Sequence, residues 1–396
     1  MALAGSLAAA RGDVLAGQSH AEQGTAAIAF AVWLYLLAAR GGFWLFREKL
    51  PAAGTSSPAR VAVVIPARDE AECIGGTIRS LLTQRFEGAL HLFVVDDHST
   101  DHTGEIARAA AGSAGSLTVI EGAPLPAGWT GKLWAVAQGI EAARAFAPDY
   151  LLLTDADIEH AEDSIQNLIA CARRRDLDLT SVMVYLHAAH PAEALLIPAF
   201  VFFFFKLYPP RWVAQPKRRT AAAAGGCMLV RPAALERIGG MAAIRSEVID
   251  DCALARAIKR SGGRIWMGLS AGTRSTREYR TFAEIRAMIA RTAYTELNYS
   301  PALLVGTVLG LALLYLAPPV LALAGHGIAR LLAIAAWLLL SIAFAPALRF
   351  YGKSMLMAPL LPLAALFYME ATLVSAIRYY RGKGGQWKGR AAAHSG

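Results

Sequence analysis

The chain has 396 residues, of which 55% are hydrophobic and only 17% are charged. Its mean hydropathy of +0.39 excludes an ordinary soluble enzyme and indicates membrane segments beside one large soluble domain. The formal net charge of +9 does not indicate a nucleic-acid partner, because much of it flanks apolar segments, where basic residues fix membrane topology.

The four cysteines have no paired spacing and no CxxC motif. This pattern argues against zinc and against a disulfide framework, and it is typical of reduced thiols in the cytoplasm.

The first apolar segment runs without charge from Gln23 to Ala39 and continues past Arg40 to Phe46. Its positive charges follow the apolar run instead of preceding it, which is unlike a signal peptide. We therefore assign residues 1–50 to an N-terminal tail and an uncleaved membrane anchor whose C-terminal side faces the cytoplasm.

Residues 58–275 alternate between apolar strands and amphipathic helices, after a short linker that is rich in Ala, Gly, Ser and Pro. The predicted strands are Val61–Ala67, His91–Asp97, Leu117–Gly122, Tyr150–Asp157 and Leu179–Leu186. This alternation predicts an α/β domain with a mostly parallel sheet and helices on both faces.

Acidic residues follow several of these strands, where ligands of α/β sheets usually bind. Asp155 and Asp157 end the strand YLLLT, and hard oxygen ligands at this spacing suit Mg²⁺ or Mn²⁺. Asp96 and Asp97 end the strand HLFVV. The alternatives are a solvated turn at Asp155 and a helix cap around Ser99–Asp101.

Two further segments have candidate chemistry. Lys132 lies in GWTGKLWA, where a helix start and a cation could bind phosphate, although a solvated lysine fits equally well. Asp250 and Asp251 start an amphipathic helix that ends at Gly262 and Gly263. They could complement the helix dipole or supply a general base, and spacing alone favours the dipole.

Three more apolar segments follow a connector at residues 276–300. Residues 301–377 contain spans at 301–325 and 331–348, and a third segment at 355–377 that spans the membrane or re-enters it. The tail 378–396 is basic and is predicted to be cytoplasmic, which favours re-entry. The stretch Ala194–Trp212 is either a core helix or an interfacial element with phenylalanines in lipid and cations at headgroups.

Taken together, VVIPARDE, VVDDHSTD, GKLWA, TDAD and IDDCALARAIKRSGG resemble the family 2 glycosyltransferases, in the family's order, over residues 61–263. The resemblance implies a GT-A fold, a nucleotide-sugar donor and a divalent cation. It implies that donor binding involves Pro66, Arg68, Glu70, Asp96, Asp97, Lys132 and Asp155. It further implies that Asp155 and Asp157 hold the metal and donor sugar and that Asp251, preceded by Asp250, is the base.

The family's QxxRW motif is replaced here by ARTAYTEL, with Arg291 and Tyr294 as imperfect substitutes for closing over the acceptor. Flanking segments such as FVFFFFKLYPP and QWKGR are similar to the hopene-associated branch.

We therefore expect an inverting, multi-pass enzyme of the bacterial inner membrane, with its catalytic domain in the cytoplasm. Its partners would be a UDP-sugar and a membrane lipid hydroxyl, with a hopanoid as the candidate acceptor. Polyprenyl phosphate, ceramide-like and carotenoid acceptors are alternatives, as are a nucleotidyltransferase and a transporter.

Overall fold

A computed structural model describes residues 2–52, 58–112 and 115–382, with side chains from His20 onward. Most of the predicted linker and of the predicted basic tail, including Lys383, Lys388 and Arg390, lies outside the described residues. The chain forms two compact units. We call residues 46–193, 207–281 and 376 onward the α/β unit, and residues up to 45, 194–206 and 282–375 the helical unit.

The strands are β1 (Ala59–Ala67), β2 (Gly88–Asp96), β3 (Leu117–Glu121), β4 (Tyr150–Thr154), β5 (Ile158–His160), β6 (Leu179–Tyr185), β7 (Cys227–Val230) and β8 (Ile265–Ser275). The first nine α-helices are α1 (Ala2–Ala39), α2 (Ile74–Leu82), α3 (Thr103–Ala111), α4 (Gly131–Ala143), α5 (Ser164–Arg175), α6 (Pro191–Leu207), α7 (Pro210–Val213), α8 (Pro232–Arg237) and α9 (Asp250–Arg260). The others are α10 (Phe282–Ala290), α11 (Ala293–Glu296), α12 (Pro301–Leu311), α13 (Ala317–Ala324), α14 (Gly327–Phe350) and α15 (Leu361–Tyr380).

Short 3₁₀ segments occupy Phe43–Leu45, Arg144–Phe146, Met241–Ile244 and Met355–Leu360, and a π-helical turn, Ala312–Leu316, joins α12 to α13.

The α/β unit contains one eight-stranded sheet in the order β3-β2-β1-β4-β7-β6-β8-β5. Its first half is parallel as predicted, because β1 pairs in parallel with both β2 and β4, and β2 with β3. The second half is mixed, because β7 runs antiparallel to β4 and β6. In the second half only β6 and β8 pair in parallel. The sheet is therefore fully parallel in its N-terminal half and mixed in the rest. Sequence reasoning missed β5 as a separate strand, and it missed β7 and β8.

The parallel half is buried as its sequence predicts. The side chains from Val61 to Ala67 are almost completely buried, as expected for an apolar strand covered on both faces. Helix α4 packs closely on this half of the sheet through Gly139, where a Cβ atom would lie 2.5 Å from Cγ1 of Val64. Gly139 thus allows the helix to approach the sheet and fixes the position of the helix start, which carries Lys132.

The helical unit contains most of the five described helical segments that are long and apolar enough to cross a membrane. They are His20–Ala39, Pro191–Val213, Pro301–Ala324, Gly327–Phe350 and Met355–Tyr380. One of these is therefore near the N-terminus, one lies in the middle of the chain, and three lie in its C-terminal part. Helix α1 also includes most of the segment predicted as an N-terminal tail.

Helix α6 packs at the centre of the helical unit. Phe202 contacts Phe43 and Phe344, and its side chain is fully buried, as is that of Phe205. The prediction that these phenylalanines face lipid is therefore wrong for Phe202 and Phe205. Their apolar surface instead holds neighbouring helices together.

The last apolar segment forms a continuous helix, α15, after a 3₁₀ turn. Pro359 lies in the 3₁₀ turn and Pro362 in the first turn of α15, where a proline breaks no backbone hydrogen bond of the helix interior. Glu370 within α15 pairs with Arg286 at 3.3 Å, so its charge has a partner inside the helical unit.

Candidate active site

A crevice of about 300 Å³, including space open to solvent, lies at the carboxyl ends of β1 and β4. The starts of α4 and α9 also contribute to it. It is lined by Pro66, Lys132, Val136, Leu153, Thr154, Asp155, Gly225, Met228, Met241, Asp250 and Leu254. Residues from four of the predicted motifs therefore meet in one place, although they are far apart in sequence.

Lys132 is the central cation of this crevice. Its Nζ lies 2.9 Å from Oδ1 of Asp155 and 3.2 Å from Oδ2 of Asp250. Burial alone would lower the pKa of Lys132, but the two carboxylates outweigh burial and raise it, so the side chain is charged. Thr130 caps α4 by accepting a hydrogen bond from the Leu133 N–H. The lysine is therefore not a solvated surface residue.

Asp251 is held next to this cation at the start of α9. Its Oδ2 accepts a hydrogen bond of 2.8 Å from the Gly225 N–H, and its Oδ1 accepts one from the Cys252 N–H. Burial and the neighbouring charge of Asp250 raise the pKa of Asp251 to about 7, against the lowering effect of Lys132. A carboxylate with this pKa can accept a proton near neutral pH. Complementing the helix dipole does not account for this environment.

The predicted DxD pair is divided between two cations. Asp155 faces Lys132, whereas Oδ2 of Asp157 accepts hydrogen bonds from Arg277 Nε at 3.0 Å and from the Ser275 hydroxyl. Burial raises the pKa of Asp155, with further contributions from Asp157 and Asp250 that Lys132 opposes. The two aspartates therefore belong to one acidic cluster, and a solvated turn does not describe them.

Arg277 is a site residue that sequence reasoning missed. Its guanidinium donates to both carboxylate oxygens of Glu70, at 3.0 and 2.9 Å, in addition to Asp157. It thus joins the loop after β1 to the segment after β8. The only sequence signal was the cluster of arginines in TRSTREYR, which becomes informative once β8 is recognised.

The second acidic motif has a partly local role. Asp96 accepts a hydrogen bond from the Ser99 N–H at 2.9 Å, so it shapes the turn before α3. Asp97 is buried, and its carboxylate lies 3.5 Å from Nη1 of Arg68. Within the segment Ser99–Asp101, for which a helix cap was the alternative, Asp101 accepts hydrogen bonds from the N–H groups of Ala71 and Thr103. The donor-binding roles of Arg68, Asp96 and Asp97 stay predictions.

The acidic cluster has the chemistry that a divalent cation requires. Asp155, Asp157 and Asp250 repel one another electrostatically in the crevice, and Lys132 offsets their charge only in part. Among the described residues, both side-chain hydrogen bonds of Asp157 use Oδ2. The carboxylate oxygens of Asp155 and Asp157 are of the kind that Mg²⁺ or Mn²⁺ prefers, and their role as metal ligands stays a prediction.

The two residues predicted to close over the acceptor belong to the helical unit. The Tyr294 side chain is buried, and its hydroxyl donates to the Tyr299 carbonyl at 2.9 Å. The backbone N–H of Arg291 donates to the Ala287 carbonyl and so extends the hydrogen bonding at the end of α10. Tyr294 therefore has a packing role in the structure, and an acceptor role for either residue stays a prediction.

Comparison with known proteins agrees with this geometry. The profile described as glycosyltransferase like family 2 matches residues 58–295, more than half of the chain. No curated protein matches the chain. The fold is shared with the mannosyltransferase PcManGT of Pyrobaculum calidifontis, solved with GDP-Man and Mn²⁺, at a TM-score of 0.53 and 18% identity, covering 89% of this chain and 99% of that one.

Two further solved structures match at lower TM-scores. S. aureus TarS 1-349 with UDP-GlcNAc matches with a TM-score of 0.38 and 16% identity, over 82% of this chain and 92% of that one. Glucosyl-3-phosphoglycerate synthase of Mycobacterium tuberculosis, solved with Mn²⁺, UDP and glucosyl-3-phosphoglycerate, has a TM-score of 0.38 and 18% identity, over 59% and 78%. From the family profile and its GT-A fold, this chain belongs to glycosyltransferase-like family 2.

Proposed function

We propose that this glycosyltransferase moves a sugar from a UDP-sugar to the hydroxyl group of a membrane lipid of hopanoid type, with inversion at the anomeric carbon. The observation that carries the proposal is the meeting of Lys132, Asp155 and Asp250 in one crevice beside Asp251. This arrangement combines a cation for the leaving diphosphate with a carboxylate that is basic near neutral pH.

A lipid acceptor is supported by the surface of the helical unit. Helices α12 to α14 expose many large aliphatic side chains, among them Leu309, Leu323 and Leu331, which are 63%, 75% and 67% exposed. Contiguous apolar surface of this kind is unfavourable in water and suits the hydrocarbon core of a bilayer. We propose that the enzyme is a multi-pass protein of the bacterial inner membrane, with its α/β unit in the cytoplasm.

In the proposed reaction, Asp251 accepts the proton of the acceptor hydroxyl as the acceptor oxygen forms a bond to the anomeric carbon. The bond from that carbon to the diphosphate oxygen breaks, and the nucleoside diphosphate leaves with the bonding electron pair. The ammonium of Lys132 offsets the negative charge that develops on the leaving group. This reaction requires one free base and no second, nucleophilic carboxylate. It therefore favours direct displacement of the diphosphate, which inverts the anomeric configuration.

Neighbouring charges keep these groups in the required states. Asp250 keeps Lys132 charged, and the Gly225 and Cys252 N–H groups orient the Asp251 carboxylate. Arg277 fixes Asp157 and Glu70 at the edge of the same cluster. A bound Mg²⁺ or Mn²⁺ would supply further charge stabilisation for the diphosphate.

The proposal is tested by incubating the full-length enzyme, in membranes, with radiolabelled UDP-sugars and extracted bacterial lipids. We expect label in the lipid fraction, with a mass increase of one sugar residue on a hydroxylated lipid, and we expect this label to disappear in Asp251→Asn.

A product cleaved by mild acid would indicate a glycosyl phosphate and so a polyprenyl phosphate acceptor, which contradicts the hydroxyl proposal. Labelling from GDP-sugars alone would contradict the donor assignment.

A further inference from the structure

A second cluster of ligand atoms lies where β6 leads into α6. His187, His190 and Glu193 each place one ligand atom within 4.8 Å of the other two. None of these residues lines the crevice described above. We propose that this triad binds one Zn²⁺ ion that stabilises the α/β unit, separately from the cation of the acidic cluster.

The first argument is the burial of charge at Glu193. Its side chain is completely buried, and among the described residues its ion pair is with His187 alone. An ionised carboxylate in the protein interior requires a counter-charge as well as hydrogen bonds. A divalent cation bound between Glu193 and the two histidines would supply such a counter-charge directly.

The second argument is the geometry of the donor atoms. Nδ1 of His187 lies 2.7 Å from Oε2 of Glu193. Metal–ligand bonds of about 2.0–2.1 Å at a tetrahedral centre separate neighbouring ligand atoms by about 3.3 Å. The two atoms therefore need to separate by only about half an ångström to accept zinc between them.

The third argument is a fourth side chain that can orient the imidazoles. The Glu278 carboxylate lies 3.9 Å from Nε2 of His187 and 3.3 Å from Nε2 of His190. Both Nε2 atoms thus face a carboxylate, and Nδ1 of His187, which faces Glu193, is left for the metal. Such an outer carboxylate is usual behind histidine ligands of zinc, where it fixes the ring orientation.

The choice of metal follows from the ligand types. Two imidazoles and one carboxylate suit zinc, whereas Mg²⁺ prefers oxygen ligands alone. The spacing of the cysteines argued against zinc, but this triad contains no cysteine. Three protein ligands leave the fourth tetrahedral position to water.

The proposed ion would hold together two segments that are distant in sequence. Glu193 also accepts a hydrogen bond from the Tyr279 N–H at 2.6 Å, and Glu278 precedes that residue. Arg277, which holds Asp157 and Glu70, lies directly before Glu278. A zinc ion here would therefore brace the segment that carries Arg277.

The alternative is a network of hydrogen bonds without metal. Glu193 accepts the His190 N–H at 3.0 Å, as a carboxylate in the first turn of a helix often does. The two imidazoles would then form hydrogen bonds with Glu193 and Glu278. This alternative predicts no zinc stoichiometry, so metal analysis separates the two.

The test uses the full-length chain in detergent with Asp155→Asn and Asp157→Asn, which remove the acidic metal ligands. The protein is stripped with EDTA, desalted, loaded with ZnCl₂, desalted again and analysed by inductively coupled plasma mass spectrometry. We expect one equivalent of zinc, none after His187→Asn with His190→Asn, and one in the matched control His102→Asn, an exposed histidine. Zinc should also raise the Tm of the parent but not of the double histidine variant.

Absence of zinc from the parent, or equal zinc in the double histidine variant, would overturn the proposal. If that variant does not fold, His190→Gln takes its place, because the His190 side chain is 36% exposed. Tetrahedral Co²⁺ then provides the readout, since its visible absorption should appear in the parent and be lost in His190→Gln. Equal absorption in the two proteins would contradict the assignment.

Discussion

Replacing Lys132 with methionine removes the central cation of the crevice while keeping most of the side-chain volume. Asp155 and Asp250 then lose partners at 2.9 and 3.2 Å, and Asp251 loses a neighbouring positive charge. The carboxylates that remain should bind protons more tightly. The variant should therefore be less stable and should need a higher pH for activity.

The loss of stability in Lys132→Met can be estimated from these two distances. At an effective dielectric constant of about 20, each contact has a direct Coulomb energy of about 5 kcal/mol. The Asp155 side chain is 35% exposed, so solvent weakens this energy, and we expect a net loss of about 3 kcal/mol near pH 8. That loss corresponds to a Tm decrease of about 6–12 °C. The acidic side of the pH–activity profile should move to higher pH, because Asp251 also loses the charge that lowers its pKa.

The sign of the pH dependence follows from proton linkage. The folded-state pKa values of Asp155 and Asp251 are already raised, and loss of Lys132 raises them further. Folded protein then binds more protons than unfolded protein, so stability falls as the pH rises from about 4 to 8. The stability difference between wild type and Lys132→Met should therefore be small at pH 5 and large at pH 8.

The assay combines thermal unfolding in detergent with sugar transfer measured from pH 5 to 9. Lys259→Met is the matched control, because Lys259 Nζ donates to the carbonyls of Val213 and Thr220 and not to the acidic cluster. Lys259→Met should lower the Tm but leave the acidic side of the pH–activity profile unchanged. The electrostatic reasoning would be refuted if the acidic side of the pH–activity profile did not move in Lys132→Met. An equal loss of stability at pH 5 and pH 8 would refute it as well.

Three further outcomes are expected. In Asp251→Asn, kcat should fall about 10²- to 10⁴-fold, and the wild-type rise in rate through a pH of about 7 should disappear, which a pH series of initial rates would measure. Arg277→Gln should raise the KM for the donor about tenfold, which is about 1.4 kcal/mol, because Glu70 and Asp157 lose the guanidinium that holds them. Steady-state kinetics in which kcat falls more than KM rises would contradict this. Leu303→Ser with Leu309→Ser should lower the fraction of the protein recovered in the membrane after expression without lowering the Tm, because both side chains are exposed.

The controls for these variants come from the same elements. Ser275→Ala removes the other side-chain donor to Asp157 and should have a smaller effect on donor KM than Arg277→Gln, because a neutral donor is weaker than a charged one. Leu340→Ser with Leu348→Ser, at fully buried positions of α14, should lower the Tm strongly. Equal Tm values for the exposed and buried leucine pairs would contradict the assignment of surface and core.

The parallel half of the fold was predictable because its strands are continuous apolar runs bounded by acidic residues. β1 and β4 each appear in the sequence as a strand that is buried on both faces, and the structure places them side by side. Asp155 and Lys132 likewise follow from strand and helix ends that meet at one edge of a sheet. These features depend on local pattern alone, which sequence reasoning can read.

The mixed half was not predictable in the same way. β7 has only four residues, and alanines and glycines precede it, so its run is too short to stand out. β8 was hidden because its exposed and buried residues do not alternate regularly. Arg277 follows β8 directly, and its partners lie in distant segments, so no local pattern could have predicted its contacts.

Helix α6 illustrates a different limit. Its apolar run is compatible with a core helix, an interfacial helix or a membrane span, because hydrophobicity specifies burial but not the partner. Its contacts with Phe43 and Phe344 decide the question in favour of packing among apolar helices. The side chains of those partners lie in segments far away in the sequence.

The order of segments along the chain has a consequence for biosynthesis. Helix α6 and its apolar residues precede β7, α9 and β8, so the ribosome completes α6 before it makes Asp250 and Asp251. Domains that form from continuous sequence can fold as they emerge, at about 5–20 residues per second. Here the nascent α/β unit is interrupted by a hydrophobic helix, and its strands β7 and β8 are translated afterwards. The acidic crevice therefore stays incomplete until that part of the chain, which includes Asp250, has emerged.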